Sequence, residues 1–574
     1  MPETGPQTST SRLKQGLKRL ARLTVDKPIE ENWREFMAER RPLIWLVALV
    51  IGVSAAYGVI LFRLGIAAVQ WLWLGAFEQH TATIASALPW WQILLGPIGA
   101  GLVVGLALKY LMPGGRIQTV ADVIEAENMR GARMSLSTGL WSAGLTAISL
   151  GGGASAGREG PAVHLGATLA STIAKRLRFP PDWSRVLLAC GAAAAVSASF
   201  NAPIAGVLFA HEVILAHYAL RAFVPITIAS VAATLITRIH LGDFPAFSVP
   251  MQMIVSYWEF PAFALLGVVS AVVAIAFMSS AFKAERLAQR LPLPLWLRPA
   301  AGGVLVGLIA LGFPQVLGVG YEATDQALKG VYPLALLLAL IVAKIIATAI
   351  TLASRCGGGV FSPSLYLGAM AGSAFGIIAA SFFPDVASSP GVYAIIGMGA
   401  VAAAVLGAPI STTLIVFELV GDYNVTIALL LANSISTALT QAVIGKSFFH
   451  WQLESRNLLL HEGPHRRILM TQRVRDVMDW YDTPQPLEQA ETPPGPGDPD
   501  HDQKDPRAET PALPALAPSD NLSKALGLMT SHKLDVYPVI NPDDPGLAVG
   551  EISQLKALKL FNEALIAASR EEHR

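Results

Sequence analysis

The stretch GGGASAGREGPAVHLGA, residues 151–167, sets an arginine and a glutamate in the middle of an apolar region. Between Arg133 and Arg158, and again between Glu159 and Lys175, the chain carries no Asp, Glu, Lys or Arg. A carboxylate at that depth in a membrane is costly and marks a candidate functional site. We therefore expect the fold to be organised around Glu159.

Glycines surround this charged pair, and they let the backbone approach a ligand closely and direct N–H groups toward it. Pro161 suits the first turn of a helix, which predicts a helix that begins just after Glu159. The N-terminus of a helix carries a partial positive charge, so this arrangement favours a bound anion.

The composition is that of a polytopic membrane protein, because 53% of the 574 residues are hydrophobic and only 14% are charged. The formal net charge of +1 gives no indication of nucleic-acid binding. Cys190 and Cys356 both lie in apolar segments, which argues against a disulfide framework or a metal site. No nucleophile–base pair or ligand cluster points to an enzyme, and no cofactor is expected.

The polarity of successive segments divides the chain. Residues 1–42 are basic and are predicted to form an amphipathic segment on the membrane surface, with a disordered tail as the alternative for residues 1–11. Residues 43–445 are predicted to form the transmembrane domain, in contact with lipid. Basic residues flank this domain at both ends, which predicts that both termini are cytoplasmic.

Beyond the membrane domain the character of the sequence changes. Residues 446–482 are predicted to form a linker and the start of a small α/β domain, which residues 520–574 complete. The intervening residues 483–519 contain ten prolines and mixed charge, so this insert is predicted to be disordered. Periodicity predicts a helix around 522–529, strands at 536–540 and 548–553, and a helix at 554–568.

The membrane domain consists of apolar segments that are often short, or long and interrupted by Gly and Pro. Such segments in both halves are typical of transporters built on inverted repeats. The predicted segments are 43–62, 91–108, 134–157, 160–174, 186–210, 222–237, 260–282, 299–321, 334–353, 356–384, 386–417 and 423–445.

Two patterns occur twice, in the same order. Residues 161–167 and 363–369 share a proline followed five positions later by Gly-Ala. Each of two Ala-Pro-Ile sequences precedes a glutamate, Glu212 or Glu418, and the alanine lies ten positions before it. This predicts repeats over about 43–240 and 254–445, with convergent Gly/Ala packing as the alternative. The two glutamates are expected to be structural, each paired near its helix end.

Cytoplasmic termini require an even number of crossings, so two halves with an odd number each would be inverted relative to one another. The loops 151–159 and 357–363 would then be equivalent, and their helix N-termini would meet at the midplane. Partial charges from two sides stabilise a dehydrated anion, whereas a full Lys or Arg charge would hold it too long for conduction.

Four motifs resemble the CLC family of chloride channels and proton-coupled chloride antiporters. The resemblance covers about residues 40–455, and it implies an all-α polytopic fold with inverted repeats and a homodimer with one pore per subunit. It also implies transport of chloride or another small monovalent anion, and a location in a bacterial inner membrane. The motifs are GREGP at 157–161, FNAPIAGVLFAHE at 200–212, GGVFSP at 358–363 and GAPISTTLIVFE at 407–418.

The same resemblance assigns the site. It makes Glu159 the gate, whose carboxylate occupies an anion site and swings away when it is protonated or displaced. The alternative is a structural salt bridge with Arg158. The amides of Val360 and Phe361 line the central anion site in this assignment. The full set of implied anion-binding residues is Gly114, Gly115, Arg116, Ile117, Arg158, Glu159, Gly160, Gly359, Val360, Phe361 and Phe449.

Three positions depart from the family pattern. The family motif Gly-Ser-Gly-Ile-Pro corresponds to residues 114–118, where Gly115 replaces the serine that binds the ion. Phe449 stands where a tyrosine normally completes the site. Arg116 is new beside them, and we hypothesise either a weak central site or a site to which Arg116 supplies charge. The alternative is that Arg116 is a loop residue facing cytoplasmic water.

A further departure concerns protons. The inner glutamate that relays protons in antiporters of the family is replaced by Val213, which cannot carry a proton. His211 lies close to it and titrates near neutral pH, so it is either a substitute relay or a hydrogen-bonded structural residue. The sequence therefore predicts a passive anion channel gated by Glu159. A chloride/proton antiporter with a non-standard proton path and a non-transporting membrane sensor are the alternatives.

The C-terminal part resembles a CBS motif. Residues 474–478 fit its first strand, residues 520–540 its helix and second strand, and residues 548–553 its next strand. Such motifs bind adenine nucleotides in pairs, so a single motif argues against a nucleotide site within one subunit. Two copies across a dimer could still form a pair.

Overall fold

The protein is seen in a computed structural model, which describes residues 41–75, 80–242, 247, 254–456, 458, 469, 472–486, 514–542 and 544–572. Almost all of the predicted amphipathic segment 1–42 and most of the proline-rich insert 483–519 lie outside the described residues.

The membrane domain is built from helices in two successive halves. The first half contains α1 (Arg41–Leu74), α2 (Thr81–Ala87), α3 (Trp90–Leu111), α4 (Val120–Met129), α5 (Leu136–Gly151), α6 (Glu159–Arg176), α7 (Pro181–Phe200), α8 (Pro203–Phe209) and α9 (Leu220–Leu241). The second half contains α10 (Phe260–Arg290), α11 (Arg298–Gly312), α12 (Tyr321–Leu328), α13 (Leu334–Ala353), α14 (Phe361–Phe382), α15 (Pro390–Leu406), α16 (Pro409–Val420) and α17 (Tyr423–Ile444), and is followed by α18 (Phe448–Glu454).

Several helices begin and end where local chemistry requires it. The predicted segment 186–210 is broken into α7 and α8, because Asn201 adopts a left-handed conformation with φ 61° and Pro203 starts the next helix. The predicted segment 386–417 is broken in the same way, at Gly407 with φ 68° and Pro409. Both long apolar segments are therefore interrupted, as the sequence predicts for its long segments.

The segment predicted over 299–321 is also interrupted. Helix α11 ends at Gly312, and a short 3₁₀ turn over Pro314–Val316 leads to α12, which begins at Tyr321. In the first half, α3 is likewise followed by a 3₁₀ turn over Pro113–Gly115 and then by α4. From α3 to α9, the order of the α-helices is thus the same as that from α11 to α17.

The centre of the domain is packed through small residues. Residues 186–200 of α7 and 391–406 of α15 are all buried. A Cβ atom on Gly191 would lie 2.3 Å from the carbonyl oxygen of Gly166 on α6, and one on Gly397 would lie 2.4 Å from that of Gly368 on α14. Glycine at these crossings lets the helix backbones touch, as small residues do between membrane helices.

Each half also provides a carboxylate that binds the start of a helix in the other half. Glu212 accepts hydrogen bonds from the amides of Ile410 and Ser411 at the start of α16, at 3.1 and 2.7 Å. Glu418 accepts hydrogen bonds from the amides at the start of α8, at 3.0 Å from Ile204 and 2.7 Å from Ala205. Each glutamate therefore caps the helix of the other half, and this reciprocity is that of a two-fold relation.

Among the described residues, eight helical stretches are long and apolar enough to cross a membrane. Several others are too short, including α8, α11, α15 and α16. The architecture is that of an all-α polytopic membrane protein made of two inverted repeats.

The C-terminal tail is a small α/β unit. Strands β1 (Asp479–Pro486), β2 (Val536–Asn541) and β3 (Asp544–Ser553) form an antiparallel sheet in the order β1-β3-β2. Helix α19 (Leu522–His532) packs Leu522, Ala525 and Met529 into its core, and α20 (Gln554–Glu572) follows β3.

Two expectations for the tail need correction. Val474–Asp476 forms a 3₁₀ turn, and the first strand begins only at Asp479. Both edges of the insert predicted to be disordered are folded, because residues 483–486 belong to β1, and Leu516 is buried and accepts a hydrogen bond from the amide of Ile540.

Candidate functional site

The two glycine-rich loops meet in the interior of the domain. Gly157 and Gly359 form an antiparallel bridge in which the amide of each donates to the carbonyl of the other, both at 2.7 Å. The loop before α6 and the loop before α14 are thus hydrogen-bonded to one another. This brings the N-termini of the two helices together, as the repeat pattern predicts.

Glu159 is the first residue of α6, and its side chain is buried with 1% of its surface exposed. Its carboxylate accepts two hydrogen bonds from hydroxyl groups of the second half. The Tyr321 hydroxyl donates to Oε1 at 2.6 Å, and the Ser362 hydroxyl donates to Oε2 at 2.5 Å. Hydrogen bonds to an ionised group are the stronger class, so they fix the position of the side chain.

Arg158 is also buried, and it lies near the carboxylate. Its Nε atom lies 3.9 Å from Oε1 of Glu159, which is beyond a normal hydrogen bond. Its guanidinium group lies over the ring of Tyr321, 4.5 Å from the centroid. The hydrogen bonds to Glu159 come from hydroxyl groups, while Arg158 packs against the tyrosine that supplies one of them.

A cavity with an empty volume of about 430 Å³ lies beside Glu159. Six of the predicted anion-binding residues line it: Glu159, Gly160, Gly359, Val360, Phe361 and Phe449. The other lining residues are mostly apolar, and the polar side chains among them are Thr119, Glu159 and Gln452. An apolar cavity with a few polar groups at the start of two helices can hold a small, weakly hydrated anion.

The remaining predicted residues do not line this cavity. They are Gly114, Gly115, Arg116, Ile117 and Arg158. From the segment that joins α3 to α4, Thr119 lines the cavity instead, together with Val120 at the start of α4.

Arg116 is engaged elsewhere. Its guanidinium donates two hydrogen bonds to the carboxylate of Asp122, at 3.0 and 2.5 Å. Arg456, just after α18, donates to the same carboxylate at 3.0 Å. The structure thus places the charge of Arg116 in an ion-pair group at the start of α4.

The position of the replaced inner glutamate lies in an unusual helical turn. Val213 is buried within the π-helical turn Ala210–Leu215 that follows α8. Nδ1 of His211 lies 3.0 Å from the carbonyl oxygen of His217, and the ring stacks on Tyr218 with the centroids 5.6 Å apart. His211 is therefore hydrogen-bonded locally, as expected if it is a structural residue and not a proton relay.

Sequence reasoning missed Tyr321 and Ser362, and it missed Thr119 and Gln452 in the cavity wall. A signal for Tyr321 exists. In both halves a proline stands seven positions before the first residue of a helix, Pro113 before Val120 and Pro314 before Tyr321. Extending the repeat to these residues makes the loop before Tyr321 equivalent to the loop before Val120, which contains residues 114–118.

Comparison with known proteins identifies the family. Residues 100–441 match the family of voltage-gated chloride channels. A ClcB-like protein of Ralstonia nicotianae is 34% identical over 390 residues, which cover 67% of this chain and 91% of the relative. The voltage-gated ClC-type chloride channel ClcB of Escherichia coli strain SMS-3-5 is 30% identical over 410 residues, 70% of this chain and 97% of the relative.

Solved structures share the fold. A slow cyanobacterial Cl⁻/H⁺ antiporter superposes with a TM-score of 0.63 at 24% identity, covering 72% of this chain and 98% of that one. A eukaryotic CLC transporter superposes with a TM-score of 0.64 at 17% identity, covering 91% and 98%. The chain therefore belongs to the CLC family, whose members are chloride channels or antiporters.

Proposed function

We propose that this protein is a passive chloride channel in which Glu159 is the gate. The observation that carries the proposal is the position of the Glu159 carboxylate. It is buried at the start of α6, lines the cavity with Val360 and Phe361, and stands beside the N-terminus of α14 from the other repeat. A carboxylate in that place occupies the position that a transported anion would take.

The chemistry follows from partial charges. The N-terminal amides of α6 and α14 face the region where the two loops meet, and they favour a negative charge without holding it as a Lys or Arg side chain would. A chloride ion and the Glu159 carboxylate then compete for the same position. Protonation of the carboxylate removes its charge, weakens its hydrogen bonds and opens the path.

The replacement of the inner glutamate by Val213 supports channel over antiport function. Antiport through a different path is the second candidate, and a buried imidazole on α6 favours it. His164 is buried, and its Nε2 atom lies 3.1 Å from Oε1 of Gln118 in the loop before α4. An imidazole on the same helix as the gate is a chemically suitable proton carrier.

The assembly and location belong to the same proposal. We place the protein in a bacterial inner membrane as a homodimer, with both termini in the cytoplasm. Bacterial relatives and the basic residues that flank the membrane domain support this placement.

Flux from liposomes that contain the purified protein tests the function. Under a pH gradient, a passive channel keeps its reversal potential at the chloride equilibrium potential, whereas a shift away from it demonstrates antiport. If His164→Leu abolished such a shift, His164 would be identified as part of the proton path of an antiporter.

Glu159→Gln tests the gate. We expect chloride flux at neutral pH to rise about tenfold or more and to lose its dependence on pH, because hydrogen bonds to a charged group, each about 1.5–3 kcal/mol, are weakened. Unchanged flux in this variant would favour a non-transporting sensor instead.

A further inference from the structure

The gate carboxylate comes from one repeat, and both hydroxyl groups that bind it come from the other. We propose that Tyr321 and Ser362 form a latch that holds Glu159 in its blocking position and sets the pH at which the path opens. This inference rests on the proposed gating role of Glu159. Tyr321 and Ser362 are positioning residues, since they act through the carboxylate.

The latch engages both oxygens of the carboxylate. Tyr321 bonds to Oε1 at 2.6 Å and Ser362 to Oε2 at 2.5 Å, and Ser362 is 3% exposed. The side chain can leave this position only by breaking both hydrogen bonds. A carboxylic acid is a weaker acceptor than a carboxylate, so protonation loosens both bonds together.

The ring of Tyr321 is held on two sides. The guanidinium of Arg158 lies 4.5 Å from its centroid, and the ring of Phe247 meets it edge to face at 4.9 Å. A phenolic ring clamped in this way presents its hydroxyl at a fixed point. The hydrogen bond to Glu159 therefore carries little cost in side-chain freedom.

A buried lysine organises the loop that carries the tyrosine. Lys344 on α13 is fully buried, and its ammonium donates to the carbonyls of Val316 and Gly318, at 3.1 and 3.2 Å. Gly320, with φ 91°, then turns the chain into α12. Lys344 is thus bound to the loop that precedes Tyr321, which gives this intramembrane charge a positioning role.

Tyr321 also lines a second cavity, with an empty volume of about 270 Å³, whereas Glu159 lines the larger one. The hydrogen bond between them therefore joins the walls of the two cavities. An anion route that linked the two cavities at this point would have to displace this contact.

Chloride flux from liposomes as a function of pH tests the latch, with the full chain carrying Tyr321→Phe, Ser362→Ala or both. Each hydroxyl favours the carboxylate over the carboxylic acid, so its removal shifts half-maximal activation by acid to higher pH. Arg158 faces the same carboxylate, and none of the three variants substitutes it. We expect a shift of about one pH unit for each single variant and a larger one for the double variant.

Two matched controls lie on α14. Within the described part of the chain, the buried hydroxyls of Tyr366 and Ser373 have no hydrogen-bond partner. Tyr366→Phe and Ser373→Ala remove the same groups without touching Glu159, and their pH profiles should match that of the parent protein.

The outcomes separate the latch from the gate. If Tyr321→Phe and Ser362→Ala follow the control variants while Glu159→Gln loses its pH dependence, the latch is overturned and the gate stands. If Glu159→Gln itself behaves like the parent protein, the proposed function fails and the latch fails with it. A shift of activation to lower pH in either latch variant would also overturn the inference.

Discussion

The two repeats share a backbone and differ in chemistry. In each, a proline seven positions upstream leads into a short helix, and a glycine two positions before a longer helix forms the bridge between the loops. The first residue of that longer helix is Glu159 in one repeat and Phe361 in the other. One scaffold thus presents an acid on one side and an aromatic ring on the other.

The hydroxyl groups that bind Glu159 belong to the second repeat, in which Phe361 takes the place of the acid. Tyr321 begins α12, where the first repeat has Val120, and Ser362 follows Phe361, where the first repeat has Gly160. The acid therefore has no hydroxyl partner from its own repeat at these positions, and its partners come from the other. The comparison teaches that the repeated backbone forms the site, whereas the proposed gate depends on side chains that differ between the repeats.

The helix crossings of the two repeats should tolerate a side chain larger than that of glycine equally poorly. Gly191→Ala and Gly397→Ala each place a Cβ against a carbonyl oxygen, at 2.3 and 2.4 Å. We expect each to lower stability by about 1–3 kcal/mol, the usual cost of overpacking. Thermal unfolding of the detergent-solubilised protein measures this loss.

Gly144 supplies the control for these variants, because a Cβ there would meet nothing within 4 Å. Gly144→Ala should leave the unfolding midpoint unchanged or raise it slightly, since alanine is the better helix former. A large loss in one repeat together with none in the other would break the comparison of the scaffolds.

Removal of each of the two exchanged helix caps should lower stability by a modestly different amount. Glu212→Ala and Glu418→Ala each remove a carboxylate from a helix N-terminus, at a cost of about 0.5–2 kcal/mol. The cost should be larger for Glu212, because the hydroxyl of Ser411 also donates to it. Unfolding midpoints rank the two variants, and a pH profile of flux like that of the parent would show that the caps are structural.

The smallest effect is expected from Arg116. It occupies the position that Leu317 has in the second repeat, and its charge is bonded to Asp122 outside the cavity wall. Arg116→Ala should change chloride affinity, measured by calorimetry, less than about twofold, a difference of roughly 0.4 kcal/mol. A tenfold loss would instead revive the hypothesis that this arginine supplies charge to the ion.

Much of the scaffold could be predicted from the sequence, because it depends on local signals. The intramembrane charge pair and Pro161 predicted the start of α6 to within one residue of Glu159. The repeated Ala-Pro-Ile patterns predicted the pairing of Glu212 and Glu418 with helix ends. That each caps the other repeat could not be predicted, since the partner is set by the three-dimensional relation of the halves.

The site was less predictable for the same reason. Tyr321 lies far from Glu159 in the chain, and only the folded loop brings its hydroxyl to the carboxylate. The family motif assigned Gly115 and Arg116 to the anion site, whereas Thr119 and Val120 are the residues of this region that line the cavity beside Glu159. In the tail, proline content predicted disorder through residue 519, but Leu516 is buried in the small core.

The bridge between Gly157 and Gly359 has a consequence for motion. Its two hydrogen bonds, both 2.7 Å, join the repeats two residues before Glu159, the proposed gate. A cycle in which one half rocks against the other would break both at each turnover and leave the two amides without these partners. Rotation of the Glu159 side chain alone leaves both hydrogen bonds of the bridge intact. The architecture therefore favours a backbone that stays fixed while one side chain moves.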